Sequence, residues 1–269
     1  MPTQLLSSLA EDALHLATLA ACAHARTRFV DLDFTDPAAE FALAQLRAGA
    51  EGEAIEGDRA MEDGRQQRGL VLLSRTVDAM ARGFFARHSS GVGVSVAAGL
   101  CTRYARLPEA RWVDVDTPAI ARVKAPCLPA RPGYVQLGRR LLDPAWVDAL
   151  EGPGERSLLL LLDTAPLHLS PFELDALLVM LSARLPEGSE IVLGFGDRHL
   201  LRPSPALCCQ ATLAAARPRL KQVTHYPCLS IVHEDEYDEA TRASVAGLNA
   251  VSRLFQGKVY PSLLHVRVR

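Results

Sequence analysis

Asp116 is the residue whose position most plainly suggests chemistry. It ends the β-branched run RWVDVD, about 17 residues after a small-residue turn, Ala97-Ala98-Gly99. A carboxylate there offers about four lone-pair sites and no donor, so it can accept both ribose hydroxyls of an adenosine group. The competing reading is an acidic helix N-cap ahead of Thr117-Pro118. The turn upstream favours the nucleoside, because small side chains let a ligand approach the backbone closely. That turn, AAGLCTR, holds a single glycine and is weak as a motif alone.

Other residues follow strand-like runs and so fall where ligands gather in a parallel sheet. They are Asp114, Gly138-Arg139 and Asp163-Thr164. His168 lies five residues after Asp163 and suits a base or a substrate anchor, or a turn histidine with a structural hydrogen bond. Arg103 and Tyr104 could line a substrate side, or sit on a helix surface. Gly93-Val94-Ser95-Val96-Ala97 approaches a nucleophile elbow. Its second glycine is alanine, however, and Ser95 reads as the interior of a strand. The missing GxGxxG argues against a dinucleotide dehydrogenase. His24, His88, His199, His225, His233 and His265 lack ligand spacing, so no metal site is expected.

These positions require a βαβ frame. GVGVSVAAG, RWVDVD, GYVQLG, SLLLLLD and EIVLGFG read as five strands. TPAIARVKAPCL and SPFELDALLVMLSARL read as helices between them, the second with Ser170 as N-cap and Pro171 at its first position. This order predicts a parallel sheet covered on both faces. KQVTHYPCLSIVHE and KVYPSLLHVRVR suggest a last pair of strands around the helix EATRASVAGLNAVSRLF. The first 90 residues read as helical, except for the polar, glycine-containing stretch 50–67, which reads as a loop or an ill-formed helix.

Composition narrows the class. The chain has 269 residues, enough for one α/β domain with extra helices, and 49% are hydrophobic. With 29 basic and 31 acidic residues the net charge is −2, which gives no electrostatic case for nucleic acid or a membrane surface. No apolar run approaches the roughly 20 residues of a membrane span. The six cysteines show no CxxC spacing and read as reduced thiols of a cytoplasmic protein, with Cys208-Cys209 open to a ligand or redox role.

AAGLCTRYARLP, RWVDVDTPAIARVK and LLLLLDTAPLHLSPFELDALLVMLSARLPEGSEIVLGF, in that order, resemble the leucine carboxyl methyltransferase family. Within it they look like the bacterial branch that methylates polyketide-type carboxylates or hydroxyls. RTRFVDLDFTDPAAEF and LLSRTVDAMARGFF resemble its lid segments, and RPRLKQVTHYPCLS its closing strands. The resemblance implies an α/β, Rossmann-like class I methyltransferase fold. That means a mostly parallel seven-stranded sheet, helices on both faces and an N-terminal helical lid. Residues 1–90 would form the lid and 91–269 the core. It also implies S-adenosylmethionine as cofactor, O-methylation of a small-molecule acceptor in secondary metabolism, and a monomer or homodimer.

By the same resemblance, Arg75 would pair with the methionine carboxylate through its planar fork. Ala97, Ala98 and Gly99 would pass the amino-acid part, Asp116 would hold the ribose, and Gly138 and Arg139 would flank the adenine. Asp163 would lie near the methionine amine, and His168 stands where a tyrosine is usual. Three positions depart from the family pattern: Ala97 for the first glycine, Cys101 for an aspartate and Gly138 for the adenine-site aspartate. Losing a charged hydrogen bond at the last would cost about 1.5–3 kcal/mol, roughly ten- to a hundredfold in affinity. A degenerate relative that binds another ligand or partner, without methyl transfer, is the alternative expectation.

Overall fold

The computed structural model describes residues 13–49, 64–128, 130–150, 156–163, 169–195, 228–254 and 262–269. Every strand-like run among them forms a strand. After helices α1 (Ala13–Arg28), α2 (Pro37–Gly49) and α3 (Gly64–Arg87) come β1 (Val92–Val96), α4 (Arg103–Arg106), β2 (Arg111–Asp116) and α5 (Pro118–Cys127). Then follow β3 (Tyr134–Gly138), α6 (Ala145–Asp148), β4 (Leu158–Leu162), α7 (Pro171–Arg184) and β5 (Glu190–Phe195). The chain closes with β6 (Leu229–Ile231), α8 (Glu239–Leu254) and β7 (Ser262–Val268). The strand order is β3-β2-β1-β4-β5-β7-β6. β1 to β5 run parallel, and β7 pairs antiparallel with both β5 and β6. The order reverses between β1 and β4, which puts the switch point at the centre of the sheet.

The central strands are buried on both faces, hence the unbroken run Leu158–Leu162. Leu158, Leu160 and Leu162 face α6 and α7, with Val92, Val94 and Val96 of β1. Leu159 and Leu161 face the opposite layer, where one continuous core joins α1, α2, α3 and α5 to the sheet. Gly93 lets the Trp112 ring lie flat on β1, for a Cβ there would fall 2.3 Å from that ring. Trp112 Nε1 donates to Ser95 Oγ at 3.0 Å. Ser95 is therefore a buried strand residue with a structural partner, and the nucleophile-elbow reading is set aside.

α7 begins as its sequence dictates. The Ser170 hydroxyl accepts from the Glu173 N–H, and Glu173 accepts from the Ser170 N–H, a closed capping box. α3 starts earlier than SRTVD suggested, at Gly64, so residues 64–67 of the polar stretch are helical. Its remainder, together with His168, His199, His225, Cys208 and Cys209, lies outside the described residues. Among the described residues no helix is long and apolar enough to cross a membrane.

Glu190 closes the lower edge of the sheet. Its buried carboxylate accepts from Arg87 at 3.0 Å, from His265 Nε2 at 3.0 Å and from Arg267 Nη2 at 3.2 Å. Burial alone would raise its pKa, but His265 and Arg87 outweigh it and bring the group down to about 2 from the usual 4.5. A depressed carboxylate adds stability above its unfolded value, and that stability fades as pH falls. Acid titration of the folding free energy should therefore show a loss on the order of 3 kcal/mol between pH 4.5 and 2. In Glu190→Gln that segment of the curve should flatten.

Candidate functional site

The backbone at the end of β1 is shaped for close approach. Ala97 has φ 52° and Gly99 φ 50°, both left-handed. Glycine adopts that conformation freely, whereas alanine is strained there by about 1–2 kcal/mol. Ala97 thus keeps a glycine's geometry without a glycine. Ala97→Gly should relieve the strain, less the roughly 0.5–1 kcal/mol entropic cost of glycine. A gain of about 0.5–1 kcal/mol would raise Tm by about 1–4 °C in a thermal melt, and an unchanged or lower Tm would contradict this account of the turn.

Asp116 organises the turn. Its Oδ2 accepts the Gly99 N–H at 2.6 Å and its Oδ1 the Thr117 N–H at 2.6 Å. The helix cap that Asp116 could have supplied comes from Thr117, whose hydroxyl accepts the Ile120 N–H. With each oxygen bonded once to backbone, the carboxylate keeps about two lone-pair sites for a ligand. Gly138 lies opposite Asp116 in the β2–β3 register, and the Arg139 N–H donates to the Asp116 carbonyl at 2.7 Å. A Cβ at Gly138 would sit 3.2 Å from the Pro118 Cα, so glycine here lets α5 start close against β3.

Two hollows open at these strand ends. The wider, about 260 Å³, is lined by Ala97, Val115, Asp116, Arg139, Leu141 and Leu169. It offers apolar walls beside one carboxylate, which suits a nucleoside. The narrower, about 30 Å³, lies among Ser74, Ala98, Cys101, Arg103 and Asp163. His15 of α1 lines both. Its ring rests on Gly99, where a Cβ would fall 2.1 Å from the His15 Cγ.

Arg103 anchors the narrow hollow. It is buried, donates to Asp78 through Nε at 2.8 Å and to Asp163 through Nη2 at 2.8 Å. Its Nη1 is buried without a hydrogen-bond partner among the described residues. Arg106 donates to Asp78 as well, and to Asp36, which also accepts from Thr102. Burial would raise the Asp78 pKa, but Arg106 and Arg103 hold it below the ordinary carboxylate range. Nearby, burial pushes the Cys22 thiol up to about 12, so it is a neutral thiol rather than a nucleophile.

Of the residues singled out from sequence, Ala97, Ala98, Gly99, Asp116, Arg139 and Asp163 gather at the strand ends, with Gly138 beside them. Arg75 does not. It lines a separate cavity beyond α3, because one residue of helix turns the side chain about 100° away from Ser74, which does face the narrow hollow. In place of Arg75, it is Arg103 that reaches the narrow hollow. Tyr104 is buried and stacked on Tyr134 with ring centroids 3.8 Å apart, not on a substrate side. His15 was missed altogether. Nothing in its local sequence marks it, since it meets Gly99 only through the packing of α1 on the turn.

This sheet order, with an antiparallel β7 inserted beside β5 and a tight left-handed turn after β1, is that of the Rossmann-like class I methyltransferase fold. No protein-family model matches the sequence, and no curated protein does. Solved structures do match. A methyltransferase candidate from Thermobifida fusca superposes with TM-score 0.51 at 15% identity, over 89% of this chain and 97% of its own. A DUF574 family protein from Streptomyces avermitilis superposes with TM-score 0.52 at 14% identity, over 93% and 97%. At such identities the likeness is one of fold.

Proposed function

We propose that the chain is an S-adenosylmethionine-dependent O-methyltransferase acting on a carboxylate or hydroxyl of a small molecule in secondary metabolism, akin to the leucine carboxyl methyltransferases. The observation that carries this reading is Asp116, which braces the Ala97–Gly99 turn and still has acceptor sites turned to a nucleoside-sized hollow. Asp116 would take the ribose hydroxyls. Val115, Leu141 and Leu169 would pack on the adenine, with Gly138 and Arg139 at its edge. The spare Nη1 of Arg103 suits the methionine carboxylate, and Asp163 the ammonium beside it.

The cofactor supplies an activated methyl group on a sulfonium sulfur. What the protein adds is alignment and exclusion of water. A carboxylate acceptor needs no base, whereas a hydroxyl acceptor benefits from one, and His168 is the proposed base or acceptor anchor. Incubation with methyl-labelled cofactor and a panel of aryl and alkyl acids and phenols should give labelled products. Base-labile label would indicate esters, and base-stable label ethers. A protein that binds the cofactor yet labels none of them would overturn the transfer reading.

A second reading, a methyltransferase-fold protein without transfer, is favoured by His15, whose ring stands between the two hollows that an extended cofactor would span. If His15 merely swings aside, His15→Ala should tighten S-adenosylhomocysteine binding several-fold and preserve turnover. If binding appears only in His15→Ala, the native chain belongs to the second reading.

A further inference from the structure

We propose that the cavity outside α3 is a second ligand site, for a small molecule with an aromatic body and an anionic head. The cavity holds about 950 Å³ and lies between the start of α2, the outer face of α3 and α8. That volume is near the top of the range for small-molecule sites. Arg75 and Arg82 lie seven residues apart on α3, two turns along one face, and both line it. Neither is engaged in an ion pair or hydrogen bond with a described residue.

The other charged groups in the wall are largely spent on each other. Asp78 accepts from Arg103 and Arg106. Asp36 accepts from Arg106, from Thr102 and from the Ala39 N–H. Among the described residues that line the cavity, Asp33 is the remaining acid. The apolar part of the wall comes from Phe34, Phe41 and Leu72, with Phe34 packed under the Arg106 guanidinium at 5.1 Å. On α8 the lining residues are Ala240, Ala243, Ser244 and Gly247, and a Cβ at Gly247 would meet nothing within 4 Å. Small residues at helical spacing leave room for a flat ring there. The hydrogen bond from the Thr76 hydroxyl to the Ser244 carbonyl, at 3.3 Å, closes the floor.

This site is distinct from the strand-end hollows. The Asp36–Arg106–Asp78 cluster forms the wall between them, with Arg106 facing both sides. The ligand here is therefore not placed for methyl transfer, and the proposal stands without the cofactor reading.

The probe is 2-naphthoate, titrated calorimetrically into the full chain beside its neutral isostere 2-naphthamide. Naphthoate should bind at least tenfold more tightly than the amide. Arg75→Gln and Arg82→Gln should each weaken it about tenfold, and Gly247→Phe, which fills the open space on an exposed helix face, should abolish binding. Saturating S-adenosylhomocysteine should leave the naphthoate Kd unchanged. Equal binding of acid and amide, indifference to the three substitutions, no binding at the solubility limit, or competition with S-adenosylhomocysteine would each overturn the proposal.

Discussion

Asp78→Ala is expected to destabilise the fold by about 3–5 kcal/mol, the cost of leaving a buried charge without its partner. Asp78 is the hub that neutralises both Arg103 and Arg106. Its two oxygens accept from Arg103 Nε at 2.8 Å and from Arg106 Nε and Nη2 at 2.6 and 3.0 Å. Both arginines are largely buried, with side-chain exposures of 1% and 7%. Each keeps one other carboxylate, Asp163 or Asp36, so the pair would be under-compensated rather than abandoned. Urea unfolding reads the effect as a lower midpoint at unchanged slope. Asp78→Asn, which retains one acceptor, should lose less. A loss below about 1 kcal/mol for the alanine variant would mean that the cluster is solvated.

The second large effect concerns affinity. Asp116→Ala should weaken S-adenosylhomocysteine binding by more than a hundredfold. Two hydrogen bonds from ribose hydroxyls to a carboxylate contribute about 1.5–3 kcal/mol each, and about 1.4 kcal/mol is tenfold in affinity. The same substitution also removes the acceptor for the Gly99 and Thr117 N–H groups. A melt must therefore accompany the titration, so that loss of the turn is separated from loss of the ligand contact. Asp116→Asn keeps one acceptor oxygen and should fall between. Wild-type affinity in a folded alanine variant would remove Asp116 from the nucleoside site.

The strands were legible because a parallel sheet writes itself as short β-branched or leucine runs between helices. Leu158–Leu162 and Arg111–Asp116 fall where the pattern puts them. Ser170 and Pro171 announced the start of α7 through cap chemistry that is local in sequence. The turn and Asp116 were legible for the same reason, since both sit at strand ends. Side chains on helices were not. Whether Arg75 or Arg103 meets the strand ends depends on how α3 and α4 are rotated, which the packing of the whole layer decides. The preference of the α5 cap for Thr117 over Asp116 turns on which oxygen reaches the Ile120 N–H. His15 joins the site only because α1 folds back over Gly99, a contact far apart along the chain that no local pattern encodes.

The most direct test of the central claim is calorimetric titration of the purified wild-type chain with S-adenosylmethionine and S-adenosylhomocysteine. The account predicts micromolar, one-to-one binding of both. No binding of either at millimolar concentration would contradict it, and would mean that His15, Ala97, Cys101 and Gly138 together have closed the strand ends to this cofactor.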